Sequence, residues 1–348
     1  MPQTPREIII RTLKFEHPER IGRQMWVLPW ATKNYPQHLE LLQKDFPDDI
    51  IKTSNVYNKS KHQRGNPFDV GTYVDEWGCM FENIHYGVSG EVRDPILKDL
   101  NNWKSIHIPH ETLPKDSSQA IDTVNKFCND TDKFVMANCH PRPWERYQFI
   151  RGTVNAMMDM VMPDSNSLSL LKAIHEFYLK ELEFWAKTNV DALMFMDDWG
   201  SQQNLLINPE LWRQIFKPLY KDYCNIANTS DKFIFMHSDG NIISIYSDLI
   251  EIGVDAINSQ LFVMDLAELS KIAKSKITFW GEIDRQHVLV SKNPTVTKNA
   301  VKKIASNFYD PKGGIIAQFE FGPGVYPENA KIVFEEWEKI NKKDRHRP

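Results

Sequence analysis

The sequence predicts an α/β protein, a (β/α)₈ barrel of the TIM type with an irregular excursion in its N-terminal third. Three observations predict it. Short apolar runs recur with helical stretches between them, each run stops abruptly at acids, histidines or amides, and the 348 residues exceed the roughly 250 that a barrel with its helices requires. The runs are Phe134–Ala137 into Asn138 and His140, Ala192–Met196 into Asp197 and Asp198, and Phe233–Met236 into His237 and Asp239. Asp255–Ile257 into Asn258 and Gln260, Ile277–Trp280 into Glu282 and Asp284, and Gly313–Ala317 into Gln318 and Glu320 follow. Unbroken apolar runs are the mark of strands buried on both faces, as in a parallel sheet. Polar residues at their carboxyl ends then share one rim, the end at which closed barrels carry their chemistry.

Along the chain, Thr4-Pro5-Arg6-Glu7 opens a helix toward Lys14, with Thr4 as N-cap, Pro5 in the first turn and Glu7 completing a capping box. Met25–Leu28 reads as the first strand, and a helix follows from about Tyr35 to Lys44. Residues 51–114 are the least regular part. They hold Tyr73–Phe81 and Gly87–Pro95, expected to form an antiparallel excursion that covers the barrel mouth. From Ser117 the alternation is regular: a helix to about Asn129, the strand at Phe134, and helical material over Pro143–Met162. A long helix over Leu168–Lys187 carries the stripe Leu170, Leu171, Ile174, Phe177, Tyr178, Leu182 and Trp185. Asn208-Pro209-Glu210 starts a helix to Ala227, and further helices are expected over Ile242–Ile252, Asp265–Lys274, Thr295–Phe308 and Pro327–Ile340. Residues 1–348 are read as a single barrel domain whose charged tail, 341–348, is frayed.

A net charge of −4 leaves no electrostatic footprint for nucleic acid. Cys79, Cys128, Cys139 and Cys224 show neither CxxC spacing nor a pairing pattern, which points to a reducing compartment. The Ile8-Ile9-Ile10 run is too short for a signal-peptide core or a membrane span, so the expectation is a soluble cytoplasmic protein.

Several ordered segments together resemble the uroporphyrinogen decarboxylase superfamily, which includes the corrinoid-dependent methyltransferases. The carriers are Thr4–Glu7, Tyr73-Val74-Asp75-Glu76-Trp77-Gly78, Glu145-Arg146 with Arg151-Gly152, Asp197-Asp198-Trp199-Gly200, His237-Ser238-Asp239-Gly240, Leu249–Asp255, Trp280-Gly281-Glu282-Ile283-Asp284, and Gly322-Pro323-Gly324 leading to Pro327-Glu328-Asn329. The resemblance covers nearly the whole chain and implies the same barrel. The decarboxylase grips porphyrinogen carboxylates with an arginine-rich loop, whereas Gln24–Thr32 holds no arginine, which speaks against that substrate. Methyltransferase members hold zinc with a His-x-Cys pair and a later Cys. Here the pair is His237 and Asp239, and the late segment is Phe319-Glu320-Phe321.

The resemblance therefore implies His237, Asp239 and Glu320 as ligands of zinc or another divalent metal, since zinc accepts imidazole and carboxylate and the loss of thiolates hardens the site. The alternative is that His237 donates to a carboxylate and Asp239 caps the helix beginning near Asn241. Asp197, Asp198, Glu282 and Asp284 are the candidate catalytic acids, although adjacent strand residues point opposite ways and one of the first two is free to cap a turn. Candidate substrate contacts are Tyr73, Trp77, His140, Arg142, Arg146, Trp199, Gln260, Gln286 and His287; the aromatic residues serve equally well as packing, and Arg146 as a helix-face ion pair. The leading function is a corrinoid-dependent methyltransferase or demethylase acting on a small methylated or thiol substrate, metal-assisted, with the corrinoid on a separate protein. The alternatives are a metal-independent decarboxylase of a carboxylated aromatic or pyrrolic substrate, and a non-catalytic binding subunit. No nucleic-acid or membrane partner is expected, and a homodimer is left open.

Overall fold

The computed structural model describes residues 2–115 and 117–345; the last residues of the predicted frayed tail, 346–348, lie outside the described residues. Helix α1 (Pro5–Lys14) carries the expected Thr4–Glu7 capping box and leads into β1 (Gly22–Val27). Helices α2 (Pro29–Asn34) and α3 (Pro36–Asp45) then lead to β2 (Ile50–Lys52). The excursion contributes β3 (Gly71–Val74), β4 (Met80–Asn83) and β5 (Glu91–Val92), an antiparallel sheet as expected. After α4 (Ser117–Asn129) come β6 (Phe134–Met136), α5 (Pro143–Arg151), α6 (Thr153–Val161), α7 (Ser165–Ala186) and β7 (Ala192–Met196). Helices α8 (Pro209–Ile215) and α9 (Lys217–Thr229), β8 (Phe233–Ser238), α10 (Tyr246–Glu251), β9 (Ala256–Ser259), α11 (Leu266–Ala273), β10 (Thr278–Trp280), α12 (Pro294–Phe308), β11 (Ile315–Phe321) and α13 (Pro327–Arg345) complete the alternation.

All eight long-range strand partners run parallel in the order β1-β11-β10-β9-β8-β7-β6-β2, the nearly closed barrel that the apolar runs predicted. The seam between β1 and β2 is drawn together by Asp49, whose N–H donates to the Arg23 carbonyl at 2.9 Å and whose carboxylate accepts the Arg23 N–H at 2.9 Å. Asp48 accepts the Met25 N–H at 2.7 Å, so side-chain oxygens take over backbone donors that a full ladder would use. At the opposite end from the mouth, α1 plugs the barrel with Ile9 and Leu13, which join Ile50, Phe134, Met194, Phe235 and Trp280 in the interior cluster.

That interior cluster fixes the phase of every strand. Ala192 and Met194 point inward and Leu193 and Phe195 outward, where they meet the helices. Carrying the two-residue period forward puts Asp198 inward and Asp197 outward. On β8, Phe235 points inward, so His237 and Asp239 follow; the same count from Ala256, Trp280 and Ile316 brings in Asn258, Glu282, Gln318 and Glu320.

Three expectations need correction. Residues 50–52 form a barrel strand rather than the start of the irregular segment. The stretch expected as one helix over Pro209–Ala227 is two, broken at Phe216 just before Pro218. Helical material over Pro143–Met162 breaks at Gly152, whose φ of 80° suits glycine and whose neighbour Pro95 leaves little room for a side chain.

The mouth sheet is anchored by Arg146 on α5, which pairs with Asp75 and, at 3.3 Å, with Glu76, while its guanidinium lies 5.1 Å from the Trp77 ring. Asp75 also accepts the N–H groups of Trp77 and Cys79 at 3.0 and 2.8 Å. Removing one partner of a buried pair leaves an uncompensated charge, which costs about 3–5 kcal/mol. Arg146→Met is therefore expected to lose about 3 kcal/mol in chemical denaturation; a loss below about 1 kcal/mol would show that the pair does not hold the mouth sheet.

Candidate metal centre and substrate cavity

Among the described residues, Asp198, His237 and Asp239 form a group whose ligand atoms all lie within 4.8 Å of one another. β7 and β8 pair with Met196 opposite His237, so the residues that follow in the inward phase emerge side by side. His237 Nε2 lies 3.5 Å from Asp198 Oδ1 and 3.7 Å from Asp239 Oδ1. Asp198 Oδ1 also accepts the Asp239 N–H at 2.9 Å, which ties the two strand ends together.

The imidazole has a defined orientation. Asn258 Nδ2 donates to the Trp280 carbonyl at 2.6 Å and to Gln318 Oε1 at 2.8 Å, so its Oδ1 is the atom that faces His237 Nδ1 at 2.7 Å. An amide oxygen accepts only, hence Nδ1 carries a proton and Nε2 is the atom turned toward the two carboxylates. This is how a metal-ligating histidine is ordinarily held, its distal nitrogen fixed by a hydrogen bond behind it. Trp26 packs against the same ring, with centroids 5.3 Å apart.

Asp239 Oδ1 is buried and has no hydrogen-bond partner, a costly condition for a carboxylate oxygen. Its Oδ2 pairs with Arg285, which also reaches Glu282 Oε2 at 2.5 Å and Glu320 Oε1 at 3.5 Å. Burial works against the Arg285 charge, but the carboxylates of Glu282, Asp239 and Glu320 outweigh it and raise its pKa. One guanidinium cannot balance all three. Burial pushes Glu282 up to about 8 despite Arg285, and the neighbouring Asp239 and Glu320 carboxylates add to the rise. The centre is thus anion-rich, with one oxygen aimed at the gap between Asp198 and His237. An oxygen–nitrogen donor set of this kind fits a divalent cation.

Glu320 belongs with Arg285 instead of completing the ligand group, so Asp198 stands where the sequence placed Glu320. Nor does Asp239 cap the following helical turn, since Asn241 Oδ1 accepts the Ile243 N–H there at 3.3 Å. Asp197 and Asp198 separate as their phase requires. Asp197 is fully buried and accepts the Trp144 and Glu145 N–H groups at 3.0 and 2.8 Å and the Tyr220 hydroxyl at 2.6 Å, holding the start of α5 against α9. It is a structural acid rather than a catalytic one.

Asp198 also opens onto the largest cavity, about 1080 Å³, between the barrel mouth and the excursion. Tyr73, His140, Arg142 and Arg146 line it as expected, although Arg146 is spent on Asp75. Trp77 and Trp199 are buried at 1% and 0% exposure and pack in the core instead of lining this cavity. Gln260, Glu282, Asp284, Gln286 and His287 line a separate hollow of about 250 Å³. There Asp284 accepts the Gln286 and His287 N–H groups at 2.7 and 2.9 Å and Gln260 accepts that of Gly240 at 3.1 Å, so Asp284 and Gln260 serve mainly to shape turns. The sequence reading passed over Lys52, Tyr57, Glu181 and Arg285, and named Glu145 only within a motif. Lys52 follows an apolar run of only two residues, Ile50-Ile51, too short on its own to mark a strand; Arg285 lies in a loop, where strand phase gives no guide.

Asp197 and Asp198 should accordingly part company under mutation. Asp197→Asn is expected to cost about 1–3 kcal/mol through its buried donors, whereas Asp198→Asn should stay within about 0.5 kcal/mol in the same denaturation experiment. Equal losses would contradict the assignment.

The family model for uroporphyrinogen decarboxylase matches residues 65–340. No curated protein matches the chain in sequence. Among solved structures, a methyltransferase from Methanosarcina mazei is similar at a TM-score of 0.67 and 13% identity, covering 97% of this chain and 99% of the other. A GH113 beta-1,4-mannanase gives a TM-score of 0.41 at 11% identity, with 93% and 99% covered. At 13% identity the likeness to the methyltransferase is one of fold. With a family match spanning most of its length, the chain belongs to the uroporphyrinogen decarboxylase family.

Proposed function

We propose that the protein is a metal-dependent methyltransferase of its family, moving a methyl group between a small donor or thiol in the 1080 Å³ cavity and a corrinoid carried by a separate protein. The observation that carries the reading is His237 Nε2 set between Asp198 and Asp239, with Nδ1 donating to Asn258. The fold shared with the Methanosarcina mazei methyltransferase supports it.

Asp198, His237 and Asp239 would hold the cation, zinc being one that accepts this donor set. A divalent cation there supplies Lewis acidity, drawing charge from a donor heteroatom as its methyl leaves or lowering the pKa of an acceptor thiol. The chain's own groups do the rest. Asn258 keeps Nε2 free, and Arg285 holds Asp239 in place through Oδ2, leaving Oδ1 unengaged. Glu145 lines the cavity beside Asp198, and burial raises its pKa, which gives the cavity a carboxyl able to keep a proton for a departing oxygen or nitrogen. The alternative of a metal-independent carboxy-lyase leaves the orphaned Asp239 oxygen without a partner.

The test is methyl transfer to added cob(I)alamin, followed by the absorbance change of methylation, across methoxylated aromatic acids, methylamines and methyl thioethers. Turnover is expected to stop on chelation, return with zinc, and fall by about a hundredfold or more in His237→Ala. Turnover that survives exhaustive chelation, or decarboxylation of any of these acids in its place, would overturn the reading. Asn258→Leu isolates the support behind the histidine: metal affinity, titrated against a chromophoric chelator, should fall about 10–100-fold. Unchanged affinity would show that the Nδ1 hydrogen bond is incidental.

A further inference from the structure

The same cavity carries a second polar cluster that the methyl-transfer reading does not use. Lys52, at the inward end of β2, places its Nζ 2.8 Å from His140 Nε2. Burial holds His140 well below its ordinary pKa, with the Lys52 and Arg142 charges adding to the effect, so the imidazole is neutral and accepts from the ammonium. Arg142 lines the cavity with a side chain 28% exposed; its nearest polar contacts are Met196 Sδ at 2.8 Å and Glu145 Oε1 at 3.8 Å. Neither is the close, two-pronged acceptor that a guanidinium takes up when fully paired. Arg142 on the cavity wall and Lys52 behind the wall residue His140 thus set two cationic groups on one side of the cavity, with no carboxylate among the described residues nearer to Arg142 than Glu145.

Behind them, Trp185 Nε1–H donates to the Tyr57 hydroxyl at 2.6 Å, which obliges that hydroxyl to donate onward to Glu181 Oε1, also at 2.6 Å. The relay fixes Glu181 with its other oxygen, Oε2, buried and unpartnered; the residue is 8% exposed and lines the cavity. A buried polar atom of this kind is expected to meet a partner when the site is filled. Tyr57, Phe149 and Tyr178 give the surrounding wall an aromatic surface suited to a flat ring.

We infer that this wall is a recognition site for a small organic carboxylate: Arg142 and Lys52 receive the carboxylate, and Glu181 Oε2 hydrogen-bonds a polar hydrogen on the same molecule. The inference deepens the proposed function, because it rests on reading the cavity as the substrate site and makes the methyl donor or acceptor an acid. Fixed at one end by its carboxylate, such a molecule presents its far end toward Asp198 and His237, and a neutral analogue is discriminated against because it leaves the two cations unanswered.

The test uses benzoate as the probe, titrated calorimetrically into the full-length protein after chelation, with benzamide and inorganic phosphate as comparators. Benzoate is expected to bind about tenfold or more tightly than benzamide, and Arg142→Gln to remove most of that preference. Lys52→Met should weaken benzoate by several-fold while leaving benzamide unchanged, and circular dichroism confirms that each variant is folded. Should Arg142→Gln not fold, the Lys52→Met result decides. Benzoate and benzamide binding equally, benzoate failing to bind, benzoate affinity insensitive to both variants, or phosphate outcompeting benzoate at the same residues would overturn the inference. His237→Ala is expected to keep benzoate binding; loss in that variant would place the anion at the metal centre and also overturn it. Because nothing in the titration requires metal or methyl transfer, a negative result here leaves the metal reading standing, and a metal-free enzyme leaves this one standing.

Discussion

The hydrogen bond from His237 Nδ1 to Asn258 is the interaction on which the centre depends. Without it the ring is free to place its proton on either nitrogen, and a proton on Nε2 would satisfy Asp198 or Asp239 as an ordinary donor. With it, Nε2 is the atom presented to the two carboxylates, an arrangement that suits a divalent cation. The support reaches back into the barrel wall: Asn258 is oriented by the Trp280 carbonyl and Gln318, Trp280 donates to Gln24 at 2.9 Å, and Gln24 reaches the Ile50 carbonyl across the β1–β2 seam at 3.3 Å. Barrel closure and histidine orientation are thus parts of one polar layer laid over an apolar plug.

Charge reinforces the point. Asp239, Glu282 and Glu320 gather around the single Arg285 guanidinium, with Asp198 near them at His237, and burial penalises excess anions among the enclosed three. Glu282, the most enclosed, answers by holding its proton to about 8. Asp198 opens onto the cavity, and Asp239 gives only Oδ2 to Arg285. Elsewhere on the cavity the excess is cationic, with Lys52 against His140 and Arg142 no closer to a carboxylate than 3.8 Å. A cavity that is electron-rich in one part and cationic in another orients a polar molecule before any reaction begins.

Much of this was legible in the sequence. The apolar runs located six strands, and the rule that strand ends carry chemistry picked out Asp198, His237, Asp239 and Glu282. The two-residue period, anchored on which apolar residues fill the barrel, is what separates Asp198 from Asp197 and core from mouth; the sequence does not reveal that anchor until the interior cluster is known. Trp77 and Trp199 misled because an aromatic residue near a strand end carries no sign of which layer it enters. Glu320 is in the expected inward phase, but Arg285, contributed by a loop of unforeseeable path, draws it aside. Lys52 ends a strand whose apolar run is only Ile50-Ile51, shorter than most of the runs that marked the other strands. Tyr57 and Glu181 come from a loop and a helix far apart in sequence, and their pairing is a product of the tertiary fold.

The central claim is that Asp198, His237 and Asp239 are the ligands of one divalent cation. It is tested most directly by metal analysis of the untagged protein by mass spectrometry, joined to anomalous diffraction from crystals grown with zinc. The account predicts near-stoichiometric metal bound to His237 Nε2 and to an oxygen of each aspartate, with Nδ1 still on Asn258, and loss of the metal in His237→Ala. No metal after incubation with zinc, or a metal seated on Glu282 and Glu320 with His237 uninvolved, would contradict it.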